Sequence, residues 1–301
     1  MTASQIQENP FVSIVIPVYA DPDGLQTTLE SAVNQTYSSF EIVIALTPSS
    51  GETRVIAEKY LDDYPDLVHL SEVHEKGRAR ARNAGIEAAN GDIVAFVDAD
   101  IWMESDWLET TLFDLKASDA DYLACNVTIQ STCNSSFIGK YDQAISIPVK
   151  HYIEEYHFAP TAALLLTRKL LEDVGVFDPE LMSGEDREFG NRVFDQGYNL
   201  CMSNCEVYHP PRKNLTEQIK KAIRIGIGIE QLRLQYPDRY SFPSLFSPLS
   251  YAPPSPTRLK SRMANNNYEP RPSEWFLFYI INHFLKIYQQ YGRWKYYYSH
   301  Y

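Results

Sequence analysis

Residues 12–18 read VSIVIPV, a nearly unbroken apolar run. A strand of that composition has no face to give to water, so both of its sides must be covered. A second run of the same kind, IVAFV, spans 93–97, and a shorter one, EIVIA, spans 41–45. Between them lie helical patterns. One opens at Asp23-Gly24 and carries Leu29, Ala32 and Val33. A second starts at Gly51-Glu52-Thr53 with Val55, Ile56 and Tyr60 on one face. A third is the alanine- and arginine-rich stretch 77–89, with a weaker strand at 67–73 before it. Strands alternating with helices predict a mostly parallel α/β sheet flanked by helices.

Further along, 107–115 and 168–174 read as helices and 122–127 as a strand. After Pro210-Pro211 the character changes. Asn214 with Glu217 three residues on marks a helix start, and Ile219, Ile223, Ile227 and Ile229 carry that helix to about 236. The proline-rich stretch 237–272 reads as an irregular linker. An aromatic helix then runs from Glu274. The expected organisation is a catalytic domain over 1–210 and a helical, basic and aromatic extension over 211–301.

Charge supports that division. The chain carries a net charge of −12, but residues 211–301 hold 14 Lys and Arg against 5 Asp and Glu, with 18 aromatic residues. An acidic first part excludes general nucleic-acid binding. The basic aromatic end suits a membrane surface, because Trp and Tyr favour the headgroup zone and Lys and Arg favour anionic leaflets. The longest apolar run there, 275–281, is too short to span a bilayer, so a helix lying in the interface is expected. No secretory signal is visible in MTASQIQENP, which makes the Asn-x-Ser/Thr triplets at Asn34, Asn126, Asn134 and Asn214 weak glycosylation sites. Four cysteines (Cys125, Cys133, Cys201, Cys205) are too few for a disulfide scaffold. A cytoplasmic protein, peripheral on the membrane face, is the expectation.

Ligands in open parallel sheets bind at the carboxyl ends of strands. The first strand ends in Pro17-Val18-Tyr19-Ala20-Asp21 and the 93–97 strand in Asp98-Ala99-Asp100. Two carboxylates one residue apart can reach one hard cation, which favours oxygen ligands and bridges to phosphates. The plainer alternative is a solvated acidic turn.

These segments, with LESAVNQTYSSFEIVIA, GRARARNAGIEAANGDIVAFVDAD and FDPELMSGEDREFGNRVFDQGY, resemble the family 2 glycosyltransferases over about residues 11–210. The resemblance implies the GT-A fold, a nucleotide-binding α/β sandwich, and transfer of a hexosyl-type sugar from a nucleotide-sugar donor. It further implies that Pro17, Tyr19 and Asp21 line the base and ribose, and that Arg78, Arg82, Asn83 and Asp98 lie near the donor nucleotide or its phosphates. Asp98 and Asp100 would hold Mg²⁺ or Mn²⁺ against the diphosphate, and His209 would complete the metal site. Asp186 would be the general base and Glu185 its neighbour, with inversion at the sugar. The alternative for Glu185 and Asp186 is that they merely cap the helix through Phe189 and Val193. Arginines 78, 80 and 82 do not all share one helix face, so at least one of them is expected to be a solvated surface residue.

Two departures stand out. Members of the family commonly carry Asp-Asp-Gly-Ser after the second strand, where this chain has Ala45-Leu46-Thr47-Pro48-Ser49-Ser50. No Gln-x-x-Arg-Trp motif of processive synthases occurs, so a single addition is expected. The acceptor is expected to be a glycan, and a lipid-linked one given the aromatic tail. Cys201, Cys205 and His209 are spaced by four, but in an extended segment they cannot converge on zinc. The competing readings are a non-catalytic sugar-binding module and a sugar-1-phosphate nucleotidyltransferase. The latter would need a glycine-rich loop that VIPVYADPDG lacks.

Overall fold

The computed structural model describes residues 7–48, 51–130, 136–145 and 147–300. Ser49, Ser50, Cys133 and Asn134 lie outside the described residues. The chain divides into two compact units. The first comprises 1–128, 149–180 and 185–209. The second comprises 129–148, 181–184 and 210–301, so two segments from within the first 210 residues cluster with the C-terminal part.

The first unit is built on one eight-stranded sheet in the order β3-β2-β1-β4-β7-β6-β8-β5. Its first half is the predicted alternation: β1 (Val12–Val18), α1 (Pro22–Ala32), β2 (Phe40–Leu46), α2 (Gly51–Asp63), β3 (Val68–Glu72), α3 (Arg78–Ala88) and β4 (Ile93–Val97). Strands β1, β2, β3 and β4 pair in parallel. As the apolar runs require, nearly every residue of β1, β2 and β4 is buried.

The second half is β5 (Trp102–Met103), α4 (Trp107–Ala117), β6 (Tyr122–Ile129), α6 (Val149–Tyr156), β7 (Ala163–Thr167), α7 (Arg168–Val174), α8 (Glu185–Asp195) and β8 (Leu200–His209), with α5 (Phe137–Ala144) belonging to the other unit. Here β7 runs antiparallel between β4 and β6, and β5 pairs antiparallel with β8. Neither β7 nor the two-residue β5 was expected from the sequence. The run ALLLT of β7 is a fully buried strand, and short apolar runs do not by themselves distinguish strand from buried helix.

The second unit packs α5, α9 (Leu215–Gln235), α10 (Pro256–Asn265) and α11 (Pro272–His300). The expectation of an irregular linker over 237–272 is corrected: α10 lies within it, along with a 3₁₀ turn at Pro248–Ser250. Pro256 occupies the first turn of α10, where its missing N–H is not needed, and Ser255 caps that turn by accepting from Arg258 N–H. Prolines that looked like breakers therefore start a helix.

Helices α9 and α11 meet at glycines. A Cβ on Gly226 would lie 1.9 Å from Gln289 O, and one on Gly292 would lie 2.1 Å from Ile223 O. Both obstacles are backbone and cannot rotate away. Gly226→Ala is expected to cost about 1–3 kcal/mol, the usual penalty of forced overpacking. Gly51→Ala, where the added methyl meets nothing within 4 Å, should be near neutral. Urea unfolding of the two variants checks the contrast.

Candidate functional site

The site collects at the carboxyl ends of β1 and β4, which lie side by side in parallel register. Both chains leave the sheet there, β1 into Tyr19–Asp21 and β4 into Asp98–Asp100. Helix α1 ties the two exits together. Asp21 caps it, its Oδ1 accepting from Gly24 N–H at 3.0 Å. Thr28 Oγ1 donates toward Ile101 O at 2.8 Å and lies 3.3 Å from Asp98 O. Gly24 is required by close approach, since a Cβ would come within 2.4 Å of Ala99 O. Gly24 and Thr28 thus hold the Asp98–Asp100 turn, a role the sequence did not reveal.

His209 reaches the same turn by strand register. In the β5–β8 ladder Trp102 faces Tyr208, and one step beyond it His209 Nε2 lies 3.1 Å from Asp100 Oδ2. Two donors, a hard carboxylate oxygen and an imidazole nitrogen, suit a divalent cation such as Mn²⁺ or Mg²⁺. Among the described residues no group of three or more His, Cys, Asp and Glu is gathered as a metal cage. Burial raises the pKa of Asp21, the Gly24 N–H bond opposes that, Asp100 and Asp23 add to it, and His209 opposes it. The acidic groups of this corner therefore act on one another.

Asp98 faces another way. Its Oδ1 lies 3.5 Å from an Nη of Arg82, whose other Nη donates to Glu185 Oε1 at 2.6 Å. Arg82 and Glu185 are each about 3% exposed, so this is a buried ion pair. It joins α3 to the first residue of α8 across 103 positions of sequence. Burial alone would lower the Arg82 pKa. Glu185, Asp98 and Asp186 outweigh it and hold the guanidinium above its ordinary value. The Arg82 head also lies 5.8 Å from the Phe177 ring centre, and Phe177 packs between Phe96 and Phe189.

The remaining predicted residues divide. Asn83 is engaged with backbone: its amide donates to Phe177 O at 2.8 Å and accepts from Phe177 N–H at 3.1 Å. It anchors the loop before α8 rather than opening toward a donor. Arg78 is exposed and Pro17 partly exposed. Tyr19 is exposed, with Lys76 Nζ 5.1 Å from its ring centre. Arg80 pairs with Glu75 and with Glu180, the latter at 2.6 Å, which leaves it a surface role. Asp186 is partly buried in the first turn of α8, its Oδ1 accepting from Arg187 N–H at 2.9 Å. Its charge is felt by Tyr122, whose hydroxyl burial pushes to a raised pKa. Cys201, Cys205 and His209 all lie on extended β8, and Cys201 and Cys205 are free thiols.

The chain and its sheet match known proteins. The model of glycosyl transferase family 2 covers residues 13–175. The chain belongs to that family. It is 31% identical over 240 residues to the glycosyltransferase AglE of Haloferax volcanii, covering 79% of this chain and 78% of AglE. Among solved structures, the mannosyltransferase PcManGT from Pyrobaculum calidifontis, in complex with GDP-Man and Mn²⁺, aligns over 97% of this chain and 88% of its own. Its TM-score is 0.64, at 18% identity. TarS of S. aureus, residues 1–349 in complex with UDP-GlcNAc, aligns over 94% and 89% with a TM-score of 0.54 at 17% identity. The fold is GT-A, and the protein is a glycosyltransferase of the kind that uses nucleotide sugars.

Removing one partner of the Arg82–Glu185 pair leaves the other charge buried. Glu185→Ala is expected to cost about 3–5 kcal/mol of stability. Arg82→Met combined with Glu185→Leu should recover a large part of that loss, because the two fully buried charges are gone and Asp98, which also faced Arg82, is partly exposed to water. Chemical denaturation of the single and double variants measures the recovery. A double variant as unstable as Glu185→Ala would show that the pair is not the source of the cost.

Proposed function

We propose that this glycosyltransferase adds one sugar, with inversion, to a hydroxyl of a glycan acceptor, and that Asp186 is its general base. The observation that carries this reading is the placement of Asp186 beside a fixed Arg82–Glu185 pair. A carboxylate acts as a base only from a held position within reach of the hydroxyl. Glu185 cannot serve, since its carboxylate is buried on Arg82; it is a positioning residue. Asp186 would accept the acceptor proton as the oxygen attacks the anomeric carbon from the face opposite the diphosphate. Tyr19 and Pro17, at the partly open end of β1, would border the base and ribose together with Asp21. Exposed Arg78 would approach the donor phosphates, where its fork matches phosphate oxygens.

A divalent ion at this site would be held by Asp100 and His209, with Asp98 close by in sequence but turned to Arg82. Such an ion, when bound, offsets charge building on the leaving diphosphate. Ions of this class commonly take one or two protein ligands and complete their shell from substrate phosphates and water. A panel of nucleotide sugars assayed for donor-dependent nucleotide release tests the reading. Asp186→Asn should lose about 10²–10⁴-fold in turnover, the usual contribution of a general base, while still binding donor. Unchanged turnover would remove Asp186 from the mechanism.

We also assign the acceptor to a membrane surface on the cytoplasmic side. No helix among the described residues is long and apolar enough to cross a membrane. From Glu274 to Trp294, however, every well-exposed residue of α11 is apolar or aromatic: Phe276, Leu277, Ile280, Phe284, Ile287 and Tyr291. A surface helix normally turns charged residues outward. A face without them, in a basic region, suits shallow insertion among anionic headgroups, where a lipid-linked glycan would present its hydroxyl. Ile280→Asp with Phe284→Asp is expected to abolish co-sedimentation with anionic vesicles. Retained vesicle binding would exclude this face.

A further inference from the structure

Beyond the Asp98–Asp100 turn the chain forms β5, the last strand of the sheet, and a groove of about 280 Å³ opens between it and α1. Trp102 stands on one wall. It is 37% exposed, while Ile101 and Met103 on either side of it are buried. Alternation along the strand turns Trp102 away from the core that they fill. Its ring lies 4.7 Å, centre to centre, from that of Tyr208, the residue it faces across the β5–β8 ladder. A large aromatic held by a second ring and still open to solvent is a rigid apolar surface.

The facing wall is α1. Thr27, Glu30 and Ser31 fall on one side of that helix, and Asn34 follows just past its end. These side chains have given donors to main chain nearby. Thr27 Oγ1 donates to Asp23 O at 3.0 Å, Ser31 Oγ to Thr28 O at 3.0 Å and Asn34 Nδ2 to Glu30 O at 2.7 Å. Glu30 Oε1 accepts from Gln26 Nε2 at 2.8 Å. What the wall has left is mostly oxygen lone pairs. Glu104 adds a carboxylate from the β5 side, and the described lining holds no Lys, Arg or His. The two walls are fixed to each other. Besides the Thr28 bond to Ile101 O, Gln35 Nε2 donates to Glu104 O at 2.8 Å and Thr36 N–H to Ser105 O at 2.8 Å. The groove is therefore formed before a ligand arrives.

That combination narrows the ligand. Carboxylates with no cation among them repel phosphate and other anions. An aromatic face beside acceptor oxygens fits a neutral molecule with one apolar side and a rim of O–H donors, which is the chemistry of a pyranose ring. The volume lies near the lower end of small-molecule sites, about 300–1,000 Å³, and suits a sugar unit rather than a large ligand. We infer that the groove between α1 and β5 is a binding subsite for a neutral sugar unit of a glycan, with Trp102 as its stacking platform and Glu30 and Asn34 accepting from the sugar hydroxyls. Consecutive residues of β8 point to opposite sides, so Tyr208, on the Trp102 side, and His209, on the Asp100 side, face opposite ways. The subsite grips a glycan away from the reacting bond, where binding of a remote part of a substrate helps to hold the reacting part. That this glycan is the acceptor rests on the function proposed above; that the groove takes a sugar does not.

The full chain, in chelator and without nucleotide sugar, is screened on an array of neutral oligosaccharides, and the strongest ligand is titrated calorimetrically. With no donor and no divalent ion present, the outcome does not depend on whether Asp186 is the base or whether the chain transfers sugar. A neutral glycan is expected to bind. Trp102→Ala should weaken it about tenfold, and Trp102→Phe should keep a large part of the affinity because a ring remains. Asn34→Ala, on the facing wall, should also weaken binding; it is the second variant because Trp102 packs on Tyr208 as well. Melting temperatures show whether each variant is folded. Choline chloride is titrated in parallel, since a carboxylate beside a tryptophan ring also fits a cation. Choline bound through Trp102 with no neutral glycan bound would overturn the inference. So would the absence of glycan binding, or glycan binding that folded Trp102→Ala and Asn34→Ala leave unchanged.

Discussion

The first unit is organised around one buried charge, the guanidinium of Arg82. An arginine with about 3% of its surface exposed cannot shed its proton at any ordinary pH, so the fold must bring carboxylates to it. Glu185 and Asp98 arrive from the start of α8 and the end of β4, and Phe177 closes over the group. Ion pairs of this kind are poor sources of net stability and effective sources of position, because any other arrangement leaves a charge stranded. Helix α8 must therefore begin where Glu185 meets Arg82, and Asp186 is placed by that requirement.

A second constraint is close approach of backbone. Gly24 lets α1 lie against the Asp98–Asp100 turn, and Gly85 lets α3 lie on β1, where a Cβ would come 2.2 Å from Val15 Cγ1. In the second unit Gly226 and Gly292 let α9 and α11 meet, and Gly228 lets α9 approach Ser183 O to a distance no side chain would permit. Buried Glu230 then draws Arg233 and Arg293 to it, and Arg293 also donates to Gln290 Oε1 at 3.1 Å and Pro243 O at 2.9 Å. Each unit combines small residues at contacts with a buried charged group held by two partners of opposite charge.

The elements of the parallel half were legible because each carries its own period. β1, β2 and β4, and outside that half α7 and α9, lie within a residue or so of the apolar and capping patterns that predict them. In the antiparallel half α4, β6 and α7 were legible too, but β7 and β5 were not; β5 has two residues and draws its identity wholly from its neighbour β8. Proline composition misled over 237–272 for a related reason: Pro256 is tolerated at a helix start, and composition does not say on which side of a helix boundary a proline falls. Among the site residues, Asp98, Asp100, Glu185 and Asp186 were visible as acids following strand ends or opening a helix. The commitment of Asn83 to Phe177, and the engagement of Asp98 with Arg82, were not visible, because both depend on partners far away in the chain.

By itself the sequence determined the strand and helix alternation, the position of acidic residues at the ends of β1 and β4, and the basic aromatic character of the C-terminal part. Those properties are local or compositional: they follow from side-chain period, from adjacency and from charge counts. Only the tertiary structure decided which acid meets which base. His209 came to Asp100 through the register of a two-residue strand, Glu185 to Arg82 across 103 positions, and Asp142 to Arg212 and Gln218 from separate elements. Such pairings are settled by burial and packing of the whole chain, since a charge chooses its partner only after the surrounding backbone has removed the water that would otherwise satisfy it.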